Sequence, residues 1–120
     1  MLKPFAALTA LLLALGLASC APSAPDPVAL PADAVVVDVR TAGEHAEARL
    51  AGAVLLDISN GDLAEALPGL DPDVPYFVYC RSGSRSAQAV ALMRDAGFSD
   101  VTDLGSLEAA ETATGLAIER

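Results

Sequence analysis

The chain has 120 residues, with 7 Lys and Arg against 16 Asp and Glu, a formal net charge of −9, and 53% hydrophobic residues. An acidic surface without a basic stripe repels nucleic acid, which removes that class of partner. One histidine and two cysteines are too few for a typical zinc set, so neither a metal nor another cofactor is expected.

In chain order, Met1-Leu2-Lys3-Pro4 precedes an almost unbroken apolar run from Phe5 to Ala18, closed by Ser19 and Cys20. One positive charge, a short apolar segment and a small-residue exit form the pattern of a secretory signal. The run is shorter than the about 20 apolar residues that a membrane-spanning helix needs. Leu17-Ala18-Ser19-Cys20 resembles the bacterial lipobox, whose cysteine is lipidated and becomes the first residue of the mature chain. An uncleaved anchor, or an ordinary signal peptide with an incidental cysteine, is the alternative. Residues 1–19 are thus expected to be a lipoprotein signal peptide, with export and a lipid anchor on the extracytoplasmic face of a bacterial membrane. The anchor would be the sole contact with the membrane.

Four prolines between Ala21 and Pro31 suit an extended tether, assigned to residues 20–32. The folded domain is then expected over residues 33–120, under 90 residues and one small core. Removing the signal also removes Lys3, leaving six arginines against sixteen acidic groups, a net charge of −10. With Cys20 lipidated, Cys80 has no partner in the chain and is either a reactive thiol or half of an intermolecular disulfide.

Ala34-Val35-Val36-Val37-Asp38-Val39 is a β-branched run, read as a buried strand. Thr41-Ala42-Gly43-Glu44 is a capping box that starts a short helix to about Ala48. Val54-Leu55-Leu56 is a second strand, and Asp62 with Glu65 opens a helix stopped by Pro68-Gly69. Pro75 to Tyr79 is a third strand that ends at Cys80. The loop Cys80–Arg85 leads into the longest helix, beginning at Ser86 and stopped by Gly97. Val101 to Leu104 is a fourth strand, and Ser106 with Leu107 to Thr112 a last short helix. Alternating strands and helices predict an α/β domain around a mostly parallel sheet, flanked by short helices.

Cys80-Arg81-Ser82-Gly83-Ser84-Arg85 leaves a buried strand and enters a helix, the place where open α/β sheets bind ligands. Unpaired N–H groups and the positive end of the helix dipole point into such a loop. Arg81 and Arg85 add positive charge beside the sulfur. Each feature favours a thiolate over a thiol, and the same donors suit any anionic sulfur held there. A buried, inert cysteine would explain neither the arginines nor the Ser-Gly-Ser between them.

These residues carry a resemblance. Val37-Asp38-Val39-Arg40-Thr41, Glu44 and Gly52-Ala53 resemble the first signature of the rhodanese-like family. Tyr79 to Ala87, with Leu92, Ala96-Gly97-Phe98 and Val101, resemble the active loop and following helix of single-domain rhodaneses. The resemblance spans roughly Ala34 to Ile118. It implies a rhodanese-like fold and sulfur transfer through a persulfide on Cys80, cradled by the N–H groups of Arg81, Ser82, Gly83, Ser84 and Arg85. It further implies a small anionic sulfur donor such as thiosulfate, a thiol or cyanide as acceptor, and a protein acceptor as a further option. Asp38 matches the family's acidic residue at the end of the first strand and is expected to orient nearby loops. The sequence departs from the family at Ala48-Arg49-Leu50, His45, Gly105-Ser106 and Ala110, the last in place of a tryptophan. All lie in the scaffold.

Three other readings compete. His45 invites a Cys–His hydrolase, but it occupies a place where the resemblance puts a packing aromatic. Cysteine phosphatases and some arsenate reductases need an arginine six positions after the cysteine, where this chain has Ser86. A non-catalytic, membrane-anchored thiol sensor or sulfur-carrier and docking module uses the same thiol without turnover.

Overall fold

A computed structural model describes residues 26–120. The signal-like segment, Cys20 and the first part of the proline-rich stretch lie outside the described residues.

The elements are β1 (Val35–Asp38), α1 (Ala42–Glu47), β2 (Arg49–Leu50), β3 (Val54–Leu55), α2 (Asp62–Ala66) with a 3-10 turn (Leu67–Gly69), β4 (Tyr76–Cys80), α3 (Ser84–Asp95), β5 (Val101–Ser106), α4 (Leu107–Thr114) and β6 (Ile118–Glu119). The main sheet has the order β3-β1-β4-β5 with every pair parallel, while β2 and β6 form a short antiparallel ribbon. This is the mostly parallel α/β sheet that the alternation of elements predicts.

Side chains alternate across the sheet with the period of two that strands impose. Val37, Tyr76, Val78 and Cys80 face α2 and α3, packing with Leu63, Leu67, Ala89, Val90 and Met93. Val36, Phe77 and Tyr79 face the other way, toward Leu50, Leu104, Leu107, Ala110 and Ala113. Helices cover both faces, which is why the strands read as continuous apolar runs. Ala110 is fully buried, so the core closes over the small side chain that stands where the family pattern has a tryptophan.

Several boundaries move. The helix expected from Ser86 starts at Ser84, because Gly83 at φ +97° turns the chain and serves as its N-cap. Ser84 and Arg85 therefore belong to the first helical turn, and the connecting loop is only Arg81 to Gly83. β5 continues past Leu104, since a register shift lets Tyr79 pair with Gly105 and Cys80 with Ser106. The packed body also begins ahead of Asp33. Val28 N–H donates to the Ala113 carbonyl at 2.8 Å, and Val28 and Leu30 pack against the α4-side core. Apolar side chains within the proline-rich stretch find a surface to cover, so its second half is docked rather than extended.

Candidate active site

Chain connectivity fixes where a ligand can sit. From β1 the chain moves to β3 on one side of the sheet, and from β4 to β5 on the other. The carboxyl ends of β1 and β4 thus flank a topological switch point, where open sheets bind ligands. Asp38 and Tyr79 are paired across those two ends, and Cys80 is the next residue.

Cys80 is fully buried at the end of a strand that is buried along its whole length. The turn brings Gly83 N–H within 3.0 Å of Sγ. Ser86 Oγ, also buried, lies 3.5 Å from Sγ and donates to the Gly83 carbonyl at 3.0 Å. Burial pushes the Cys80 thiol up, but the Ser86 hydroxyl and the N–H groups of Ser86, Gly83 and Ser82 outweigh it and hold the thiol below its ordinary value. Ser86 has one proton to give. When Cys80 is neutral, its S–H donates to Ser86 Oγ, and the Ser86 proton goes to Gly83. When Cys80 is a thiolate, that proton can turn to the sulfur.

The two arginines of the loop differ. Arg85 is not free: its Nη1 and Nη2 donate to the two carboxylate oxygens of Glu44 at 2.7 and 2.9 Å. The guanidinium holds the Glu44 carboxyl down to about 2, and Glu44 in turn raises Arg85. The positive charge expected of Arg85 beside the sulfur is thus spent on Glu44. Of these two arginines, Arg81 alone is exposed and has no ion pair among the described residues. Ser82 and Ser84 are exposed.

Asp38 is the centre of a buried network rather than a group facing the sulfur. Its Oδ1 accepts from Arg40 N and Nε at 2.9 Å each, and its Oδ2 from Arg40 Nη2 at 2.7 Å and Tyr79 OH at 3.0 Å. His45 Nδ1 lies 2.9 Å from the same Oδ2. Burial pushes the carboxyl up, and the bonds from Arg40 and His45 more than reverse it. Tyr79 OH also accepts from Leu50 N at 3.1 Å, and burial raises the phenol to about 12, so it keeps its proton. His45 thus serves Asp38, and the Cys–His pair that a hydrolase would need is not formed.

Sequence reasoning passed over Arg40, Ser86, Tyr79 and the pairing of Glu44 with Arg85. Glu44 was legible only as a helix cap. That role is also real, since Glu44 Oε1 accepts from Thr41 N at 3.4 Å and from Thr41 Oγ1 at 3.2 Å. One carboxylate does both jobs, and the second needs a partner 41 residues away.

A cavity of about 150 Å³ opens beside the loop, between α1, Arg81 and the start of α4. Among the described residues no three His, Cys, Asp or Glu side chains converge as metal ligands would, and no helix is long and apolar enough to cross a membrane.

The family model for the rhodanese-like domain matches residues 26–112. The chain is 40% identical over 91 residues to the thiosulfate sulfurtransferase GlpE of Pseudomonas putida, covering 70% of this chain and 81% of that protein. It is 41% identical over 68 residues to the GlpE of Pseudomonas fluorescens, covering 57% and 61% respectively. The rhodanese-like domain of the Alr3790 protein from Anabaena sp. superposes with a TM-score of 0.64 at 28% identity, over 76% of this chain and 91% of that domain. With a matching family model over most of its length and a parallel sheet that presents Cys80 at the mouth of a helix, the chain belongs to the rhodanese-like family of sulfurtransferases.

Proposed function

We propose that Cys80 carries sulfane sulfur as a persulfide, loaded from thiosulfate or a similar anionic donor and discharged to a thiol or cyanide. The observation that carries this reading is a buried thiol with Gly83 N–H 3.0 Å from its sulfur, held below its ordinary value by the Ser86 hydroxyl and by the N–H groups of Ser86, Gly83 and Ser82. The Cys80 thiolate attacks the sulfane sulfur of thiosulfate. A new S–S bond forms, the old one breaks, and its electron pair leaves with sulfite. The outer sulfur left on Cys80 is an anion, and the N–H groups of Arg81 to Arg85 would receive it. Arg81 supplies the mobile positive charge that draws the donor in. The names of the GlpE relatives support thiosulfate as the donor. Redox-sensor thiols are accessible and often poised beside a resolving cysteine, whereas Cys80 is fully buried.

The proposal includes a lipid anchor at Cys20 and an extracytoplasmic location, supported by the lipobox-like Leu17-Ala18-Ser19-Cys20. Intact mass of the purified protein before and after thiosulfate tests the chemistry. One sulfur, about 32 Da, should be added, be removed by cyanide, and be absent from Cys80→Ser. A wild-type protein that takes up sulfur from no sulfane donor would overturn the reading.

A further inference from the structure

We propose that the cavity beside the Cys80 loop selects a small aminothiol, a thiol bearing an ammonium group as cysteine and cysteamine do, as the sulfur acceptor. This inference rests on the persulfide reading above and adds the acceptor class to it.

The cavity is lined by Arg40, Glu44, Glu47, Arg81 and Glu108, with Ala48 and Leu107 as the apolar contacts. Two of those charges are already spent. Arg40 is paired with Asp38, and Glu44 with Arg85. The remaining three, Arg81, Glu47 and Glu108, are exposed and have no ion pair among the described residues. One free guanidinium therefore faces two free carboxylates.

That balance repels an acceptor with only negative charge and favours one with an ammonium group, while Arg81 can still hold a single carboxylate. Size narrows the class further. Pockets for drug-sized ligands run to about 300–1,000 Å³, and this one is about 150 Å³. Location supplies the chemistry, since Arg81 follows Cys80 directly and Glu44 grips Arg85 at the other end of the turn. An acceptor seated between Glu47, Glu108 and Arg81 sits against the sulfur-bearing loop.

The transfer balances without an oxidant. The acceptor thiolate attacks the outer sulfur of the Cys80 persulfide and forms a new S–S bond. The Sγ–S bond breaks with its electron pair returning to Cys80 as thiolate, and the acceptor leaves as a persulfide anion. An ammonium group helps twice. It lowers the acceptor's own thiol pKa, and it offsets the repulsion between two approaching anionic sulfurs.

The test uses the full chain loaded with thiosulfate, with uptake of one sulfur checked first by mass. Discharge is then followed with cysteamine, cysteine, neutral 2-mercaptoethanol and anionic 3-mercaptopropionate, each rate compared per thiolate after correction for the fall of nucleophilicity with thiol pKa, measured with free persulfide. Cysteamine and cysteine should exceed 2-mercaptoethanol by about fivefold, the scale of partly exposed ion pairs. The 3-mercaptopropionate should be slowest, and the preference should shrink as salt is raised. In the Glu47→Gln/Glu108→Gln double variant the cysteamine to 2-mercaptoethanol ratio should fall to near one. Equal per-thiolate rates in wild type, a salt-independent preference, or an unchanged ratio in the double variant would each overturn the proposal. Failure of the protein to load sulfur at all would instead sink the persulfide reading, and the acceptor assignment with it.

Discussion

The Tyr79 hydroxyl donates to Asp38 Oδ2 at 3.0 Å and accepts from the Leu50 amide at 3.1 Å. A single side chain thus ties β4 to the end of β1 and to the β2–β6 ribbon, one residue before Cys80. Tyr79→Phe keeps the ring and removes both bonds, leaving the buried Leu50 N–H without its partner. An unsatisfied buried group costs about 1–3 kcal/mol. For a domain of this size, each kcal/mol lowers Tm by roughly 4–8 °C. Thermal unfolding of the variant should show a drop on that scale, and an unchanged Tm would mean that the bonds contribute nothing net.

Glu44 and Arg85 make stability depend on acid. Paired with Arg85, the Glu44 carboxyl falls from 4.5 to about 2. A carboxyl depressed in the folded state stabilises fully above its unfolded value, and that stabilisation is lost as pH falls through the folded one. The window therefore lies between pH 4.5 and about 2. Buried Asp38, also depressed, loses stabilisation in the same direction. Glu44→Gln should cost on the order of 1–2 kcal/mol at pH 7 once solvent screening of the partly exposed pair is allowed for. Its urea unfolding should also vary less with pH inside that window. A variant with the wild-type acid profile would show that the pair carries no linkage.

The features read correctly from sequence are those that local pattern or residue chemistry sets. The β-branched run at Val35–Val37 gave a strand, Thr41 and Glu44 gave a capping box, and Cys80 at the end of an apolar run with Gly83 after it gave a turn from strand into helix. What escaped depends on partners distant in the chain. β2 and β6 are two residues each, too short for any periodicity, and exist because Arg49 and Leu50 meet Glu119 and Ile118. Arg85 looked like a free cation until Glu44 came within 2.7 Å of it. The start of α3 at Ser84 turned on a single backbone angle at Gly83.

Gly83 offers a direct measure of what the turn does for the thiol. Its φ of +97° is a conformation that side chains disfavour, yet an added Cβ would only touch Gly105 Cα at 3.7 Å, an ordinary contact. Gly83→Ala should therefore fold with backbone strain of about 1–2 kcal/mol and shift the N–H now 3.0 Å from Sγ. The pH dependence of alkylation by a small thiol reagent should move upward relative to wild type, because a thiolate donor is lost. An unmoved profile would assign the lowered thiol to Ser86 and Ser82 instead.

The proposed anchor predicts an acylated Cys20 and partition of the wild-type protein into detergent. Because Val28 is already docked on the body, only Ala21 to Pro27 separate it from the proposed anchor, a span of at most roughly 20 Å at about 3 Å per extended residue. The domain would then be held close to the membrane. Cys20→Ser should release the protein or stall its processing. Wild-type protein found in the soluble fraction with a free Cys20 would refute the anchor.

On the proposed reading, loop size separates sulfur transfer from phosphate chemistry on this scaffold. The turn from Cys80 closes through Arg81, Ser82 and Gly83, and the Gly83 N–H comes within 3.0 Å of Sγ. On that reading so short a turn takes one further sulfur and excludes a tetrahedral phosphate over the thiolate. Arg85, five positions after Cys80, is turned away into its pair with Glu44 instead of clamping oxyanion oxygens. Wild type should therefore transfer sulfur and leave aryl phosphates untouched. Inserting one glycine between Gly83 and Ser84 moves the arginine to the sixth position after the cysteine and widens the turn just before α3 begins. Sulfur transfer should fall by about 10²–10³, the usual cost of a misplaced anion-hole donor. Phosphate or arsenate would gain space, but aryl-phosphate turnover would still lack an acid for the leaving group. Retained sulfur transfer in the widened loop would show that turn size does not select the substrate. Aryl-phosphate hydrolysis by wild type that disappears in Cys80→Ser would reverse the assignment of the chemistry itself.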